Sequence, residues 1–400
     1  MDRIEAMLAA VDWSVVQGGL WGNHEGPMSA VPEMVRDLWR PERIWDAVDV
    51  LETAGFEFGK TRPVTPLLAR VLVAVLADPR SATAAVYESE DLDLPLRAKL
   101  LTLLGTAATT AAWGGTDDEL RATIAAVAAD EPGLSVAELW AGDEGADRLA
   151  VRALAGEVLD AVLPFIDDPD VWVAHAAVFA ATRFAQLQQL VVGRVMEGRA
   201  APAGPAAVTE ARLAAVARRG SGDGNGLSGV SGAAAYALAQ LGADTSALLE
   251  HPALVVRACA ALSPATIGDR RAVAALEEAL RHTPANDHWL DPGSALQRLR
   301  LHIEFAAAAA ARVTDFAELM PGALAVAAPE GGATEAGWGP LLLVAFRTGW
   351  QDRPLTDAQR AFLRQLVDND DVWGDRARLT MPCLIEVGLP PDRAACQSLL

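Results

Sequence analysis

Lysine is almost absent from this chain. Lys60 and Lys99 are the two in 400 residues, and the other 31 of the 33 basic residues are arginine. Against them stand 53 acids, giving a formal net charge of −20. That balance argues against broad contact with phosphate backbones or anionic lipid, which needs a basic face. Nucleic acid and membrane are therefore not the expected partners. Cysteine is scarce as well. Cys259, Cys383 and Cys396 are too few for a disulfide framework and too scattered for a zinc site, so the expected compartment is reducing and cytoplasmic. Tyrosine occurs twice against eleven tryptophans, and alanine is abundant. Together with the preference for arginine, this reads as the codon bias of a GC-rich genome. Long apolar runs are missing. The longest uncharged stretches, 100–116 and 224–243, are rich in Gly, Ser, Thr and Ala and lack the quality of a membrane span. The opening residues MDRIEAMLAAVDW carry acids early, unlike a secretory signal.

What is present is helical spacing. The chain is 52% hydrophobic, enough for a large core and too much for wholesale disorder. In 66–76 (PLLARVLVAVL), Leu68, Val71, Leu72, Val75 and Leu76 fall on one helical face, and 149–166 carries a similar stripe. No stretch shows sustained alternation bounded by hairpin turns, while Ala, Leu, Arg and Glu favour helix. The expected class is all-α.

The helices are punctuated at intervals. IDDPDVWVAHAAVFAA (166–181) and LEHPALVVRACAAL (249–262) align with Pro169 on Pro252, an offset of 83 residues, about two units of 41. Val171, Trp172, Ala176 and Phe179 then match Leu254, Val255, Cys259 and Leu262. The tripeptide Asp-Val-Trp at 170–172 recurs at 371–373, about five units on. Turns at Pro41, 77–81, 114–118, 283–292 and 328–333 keep a similar rhythm. Helix, turn and second helix recurring every ~40 residues resembles the HEAT-repeat family. Val256-Arg257 fits the Val-Arg common in its second helices; Val173-Ala174 and Gly374-Asp375 depart from it. The resemblance is to a divergent, HEAT-like type. It implies a right-handed superhelical α-solenoid of about eight to nine helical hairpins, because a two-helix unit buries its wide apolar face only by stacking. The expected organisation is one domain over 1–400, with 1–40 as an N-terminal cap and a flexible Gly-rich loop at 220–232. The alternative is two helical bundles joined near 199–206.

Chemistry-bearing motifs are few. Gly224, Gly226 and Gly229 spell GxGxxG, but a basic helical stretch precedes them and Asp223 sits among them, so a loop is expected and no cofactor. His282, Asp287, His288 and Asp291 crowd one segment without a metal-ligand spacing, and no metal is expected. The acidic runs at 88–93, 117–119 and 367–371 read as turns and helix starts. The least generic stretch is 15–39, where glycines bracket Trp21, Asn23, His24 and Glu25. Aromatic, imidazole and carboxylate groups on a loop suit a binding site; a terminal cap is the structural alternative. Trp172 with His175, and Trp373 with Arg376, repeat an aromatic-plus-polar pair one helical turn apart. If they face a groove, they are anchors of the type interfaces prefer.

The HEAT-like resemblance implies a non-catalytic scaffold, immunity or regulatory protein whose concave groove holds a protein or peptide, of basic character given the acidity. The family also includes enzymes, among them bilin lyases and alkylpurine DNA glycosylases. A small-molecule enzyme with His24, Glu25, His175 or His288 in its pocket is the second expectation, and a glycosylase is disfavoured by the missing basic face.

Overall fold

The structure, a computed structural model, describes residues 3–20, 24–56, 60–89, 92–129, 135, 138, 142–191, 205–219, 227–283, 289–290, 300–329, 335–350, 353–373 and 377–400. The protein is all-helical apart from two short hairpins, and the chain divides into two compact units, Met1–Leu213 and Ala214–Leu400.

The first unit runs α1 (Arg3–Ala9), β1 (Gln17–Leu20), β2 (His24–Pro27), α2 (Val31–Asp37), α3 (Ile44–Gly55), α4 (Thr65–Ala77), β3 (Ala85–Ser89), β4 (Leu92–Pro95), α5 (Leu96–Ala111), α6 (Asp117–Ala128), α7 (Gly145–Ala153), α8 (Ala155–Val162) and α9 (Val171–Val191). β1 pairs antiparallel with β2, and β3 with β4. The all-α class holds, and the two hairpins are local additions that the sequence did not signal. Strands of four or five residues are too short to display alternation, and they are held by neighbours: β1 and β3 pack on α3, and both strands of the second hairpin on α5. At the centre, α5 lies along α9, with α4, α7 and α8 around them. The face read in 66–76 is buried in full, Leu68, Val71, Leu72, Val75 and Leu76 included. Val73 and Ala74 are buried too, so α4 is a core helix rather than an amphipathic one. The single stripe read over 149–166 is broken at Leu154 between α7 and α8.

Local chemistry marks the helix starts. Thr116 caps α6, with its side chain and that of Glu119 in reciprocal hydrogen bonds. Asp170 Oδ1 accepts the amides of Trp172 and Val173 at 2.9 and 3.2 Å, opening α9. The acidic run 117–119 is therefore a helix start, as read. α10 (Pro205–Ala217) then carries the chain across the unit boundary.

The second unit continues with α11 (Leu227–Gln240), α12 (Leu254–Ala260), α13 (Arg270–Leu280), α14 (Leu301–Arg312), α15 (Met320–Ala327), α16 (Glu335–Ala345), α17 (Asp357–Asp368), the single turn α18 (Asp370–Trp373), α19 (Ala377–Glu386) and α20 (Arg393–Gln397). The loop expected at 220–232 is corrected here: 220–226 lie outside the described residues, and from Leu227 the chain is helix. Gly232 is used for close packing, since a Cβ there would sit 2.5 Å from Val255 on α12.

From α13 onward the packing follows a rule. Successive helices pair, α13 with α14 and α15 with α16. Each helix also packs on its second neighbour of the same row: α13 on α15, α15 on α17 and α17 on α20 in one row, α14 on α16 and α16 on α19 in the other. Within the second row, α16 and α19 run parallel. Gly339 lies against Cys383, and beyond the C-terminal ends of both helices the Trp350 amide donates to the Val387 carbonyl at 2.7 Å. Gly349 and Gly388 end these helices at φ 70° and 77°, the left-handed conformation that glycine adopts without a Cβ penalty.

The alignment of Pro169 with Pro252 corresponds to matching local structure. A 3-10 turn precedes each proline, at Leu163–Asp167 and Ser246–Glu250, and α9 and α12 begin two residues after it. The Asp-Val-Trp match does not correspond in this way. Asp170 is the cap of α9, whereas at 371–373 the capping oxygen belongs to Asn369, whose Oδ1 accepts the Asp371 amide at 3.0 Å. Trp172 is thus the second residue of a 21-residue helix and Trp373 the last residue of a single turn.

Candidate interaction surface

The residues expected to form a site are scattered by the fold. Trp21 and Arg376 lie outside the described residues. His24 and Glu25 stand on β2, opposite Leu20 and Gly19 of β1, so a strand replaces the expected binding loop at these positions. His175 is fully buried in α9. It was expected to accompany Trp172 on a groove, and this is corrected: α9 packs against α5 and α8, and the residue three along from Trp172 turns into that core. Trp172 is half-buried. Trp373 is half-buried too, and its indole N–H donates to the Leu366 carbonyl at 2.8 Å, closing the end of α17. Of the imidazole segment, 284–288 and Asp291 lie outside the described residues; the His282 ring lies 6.0 Å from that of Trp289, tilted by 52°. Among the described residues no three His, Cys, Asp or Glu side chains gather as metal ligands. No helix among them is long and apolar enough to cross a membrane.

A different set of residues is brought together by the two-row packing. Pro340 is the sixth residue of α16 and Pro382 the sixth of α19. Two residues after each proline comes a buried leucine, Leu342 and Leu384. Three residues after it comes an exposed one: Leu343 is 41% exposed and Ile385 60%. Met381, one helical turn before Ile385, is 39% exposed. On α14, in the same row, the exposed residues are Glu304, Ala307 and Ala311. The opposite row exposes Arg270 and Arg271 on α13, Arg364 and Asp368 on α17, and Gln397 on α20. The large exposed aliphatic side chains of these helices thus lie in the second row, Leu343 on α16 and Met381 and Ile385 on α19, with Glu304 and Glu386 exposed beside them.

No family model matches the chain, and no curated protein does. The chemistry of the surface is then read from its own residues. Large exposed aliphatics, repeated on a rigid pair of parallel helices, are a pattern of protein contact surfaces. One signal for them was in the sequence. Leu341, Leu342, Leu343 and Val344 are consecutive and span every side of a helix, so a helix not enclosed on all sides leaves one of them in water.

The cysteines are remote from chemistry. Cys259 is fully buried on α12, and desolvation pushes its thiol far above the usual range. Cys396 is buried as well, its Sγ 3.2 Å from the Pro390 carbonyl, and burial with the neighbouring Asp392 raises its thiol to about 11. Cys383 is the one with partial exposure. Native protein is expected to give no more than one rapidly labelled thiol with an aromatic disulfide reagent, and three after unfolding. Rapid labelling of Cys259 in the native state contradicts the burial.

Proposed function

We propose that the protein is a HEAT-like α-solenoid acting as a non-catalytic interaction protein, a scaffold or regulator that holds a protein or peptide of basic character along its second-row helices. The observation that carries this reading is the exposed pair Leu343 and Ile385, at the same position after Pro340 and Pro382 on neighbouring parallel helices. A repeated, largely solvent-facing aliphatic contributes less to the fold than a buried one, and its recurrence in successive hairpins suits a continuous binding surface. In HEAT-like solenoids the second helices of the hairpins line the concave face, and α14, α16 and α19 are the second helices here.

Further support comes from the spacing of tertiary contacts. In a solenoid each unit touches the next, so contacts concentrate one period apart. The buried Asn369 amide donates to the Ala327 carbonyl, 42 residues away, and Arg347 to the Val313 carbonyl, 34 away. Arg257 links its own turn to the next helix. Its Nη1 donates to the His251 and Pro252 carbonyls in the turn before its own helix, and its Nη2 reaches Glu278 on α13 at 2.9 Å. The net charge of −20 favours a basic partner and speeds its approach.

The test is a Leu343→Ser, Ile385→Ser double variant. Both side chains are exposed, so stability is expected to stay within about 0.5 kcal/mol of the parent. Affinity capture from the native cell, run in parallel with parent and variant, should retain one stoichiometric protein with the parent and lose it with the variant. The dissociation constant for that protein should rise at least tenfold, about 1.4 kcal/mol. A partner bound equally by both overturns the assignment of the surface. A co-purifying small molecule in place of a protein overturns the function.

A further inference from the structure

His251 follows the 3-10 turn Ser246–Glu250 and precedes α12, and both of its ring nitrogens are engaged. Nδ1 lies 3.1 Å from the Ala253 amide. Nε2 lies 3.2 Å from the carbonyl of Arg219, two residues past the end of α10. These partners fix the ring proton. A backbone amide can only donate, so Nδ1 must be bare; a carbonyl can only accept, so Nε2 must carry the hydrogen. One neutral tautomer therefore makes both bonds. Ala253 is the residue immediately before α12. The Nδ1 bond thus holds the start of that helix, and the Nε2 bond ties the same turn to the end of α10, 32 residues upstream. α12 is central to its surroundings, since α11 and α13 both pack on it.

The protonated ring cannot keep this arrangement. It carries N–H groups at both nitrogens, and the one at Nδ1 then faces the Ala253 N–H, donor against donor. Among the described residues, the carboxylates on the elements that meet here are already paired. Glu250, beside His251, accepts from Arg271 of α13 at 2.6 Å, and Glu278 of α13 accepts from Arg257 at 2.9 Å. The cations here are Arg257 and the exposed Arg218 and Arg219 at the end of α10. Arg257 donates from Nη1 to the His251 and Pro252 carbonyls at 2.9 Å, which sets a positive charge in the same turn. We infer that His251 is a pH-sensitive latch: neutral, it holds the start of α12 to the end of α10, and protonated, it releases both. The open turn takes up a proton that the closed turn does not, so closure weakens as pH falls. Histidine is the side chain that makes such a change near neutrality. The latch lies within the second unit and does not depend on the surface formed by α16 and α19.

The experiment is amide hydrogen exchange on the full chain, read by mass spectrometry and corrected for the intrinsic exchange rate. Protection is compared at about pH 7.5 and about pH 5.5, the interval in which an imidazole gains its proton. The parent is expected to lose protection at least about fivefold over 214–219 and 249–260 on acidification. The buried helix α4, 65–77, carries no group that titrates in this interval and should stay unchanged. His251→Asn supplies the control. Its side-chain oxygen accepts the amide two residues on, as in an Asx turn, and does not titrate. The start of α12 should then be equally protected at both pH values, while 214–219 is less protected than in the parent at the higher one. If the variant fails to fold, the parent carries the test by itself. Loss confined to the two segments supports the latch. Loss spread evenly over the chain, or none, overturns it. The same pH dependence in parent and Asn variant overturns it too.

Discussion

Replacing Arg152 by alanine is expected to destabilise the first unit by about 3–5 kcal/mol. The side chain is wholly buried on α7, and it bonds three groups of one turn. Nε donates to the Ala111 carbonyl at 2.8 Å, Nη2 to the Trp113 carbonyl at 3.0 Å and Nη1 to Asp117 Oδ1 at 3.0 Å. The first two carbonyls belong to the C-terminal end of α5, and Asp117 opens α6. Arg152 therefore ties two helix ends to a third helix. Alanine leaves two carbonyls without their partner and Asp117 with only the exposed Arg121, at 3.4 Å. Each unmet buried group costs more than a formed bond contributes. Urea unfolding measures the loss. Arg152→Lys keeps the charge but reaches fewer acceptors, and should fall between parent and alanine. A loss below about 1 kcal/mol for alanine contradicts the clamp.

Gly105→Val is expected to cost about 1–3 kcal/mol by overpacking. Gly105 lies in the interior of α5, where a larger residue normally helps, since glycine is unfavourable in helix by about 1 kcal/mol against alanine. Here the sign reverses. A Cβ at Gly105 would overlap the ring of Phe179 on α9, which sits over the missing side chain. Valine recovers only part of the helix propensity while adding three carbons to a contact with no room. The readout is the urea midpoint, with Phe179→Leu as the second arm of a double-mutant cycle. Leucine at 179 should cost stability in the parent and less in the valine background, a coupling that marks direct contact. Additive effects, or a stabilised Gly105→Val, show that the helices can move apart.

The two cases separate what a sequence shows from what it conceals. The helix start at 117–119 and the turns at Pro169 and Pro252 were legible because a cap or a turn is satisfied within three or four residues. The same locality made the helical class legible from spacing alone. Gly105 was legible only as a glycine within an uncharged stretch. Its reason is Phe179, more than seventy residues away. Nothing near Arg152 in the sequence marks it as buried, and its acceptors lie 35 to 41 residues upstream. His175 was misread for the same cause: one turn from Trp172 along the helix is a statement about neighbours, while facing solvent is a statement about α5 and α8.

The candidate surface divides in the same way. Consecutive apolar residues at 341–344 marked a helix apolar on every side, but only the stacking of α16 on α19 decided that Leu343 stays in water, and that Ile385 matches it. The amino-acid sequence by itself determined the helical class, the acidic charge, and many of the caps and turns, since each depends on hydrogen bonds and periodicity within a few residues. The tertiary structure decided which arginines are buried, where glycine is required, where four-residue strands form, and which aliphatic side chains stay in water. Those outcomes depend on partners a whole helical hairpin or more away, and burial is a property of both surfaces that meet.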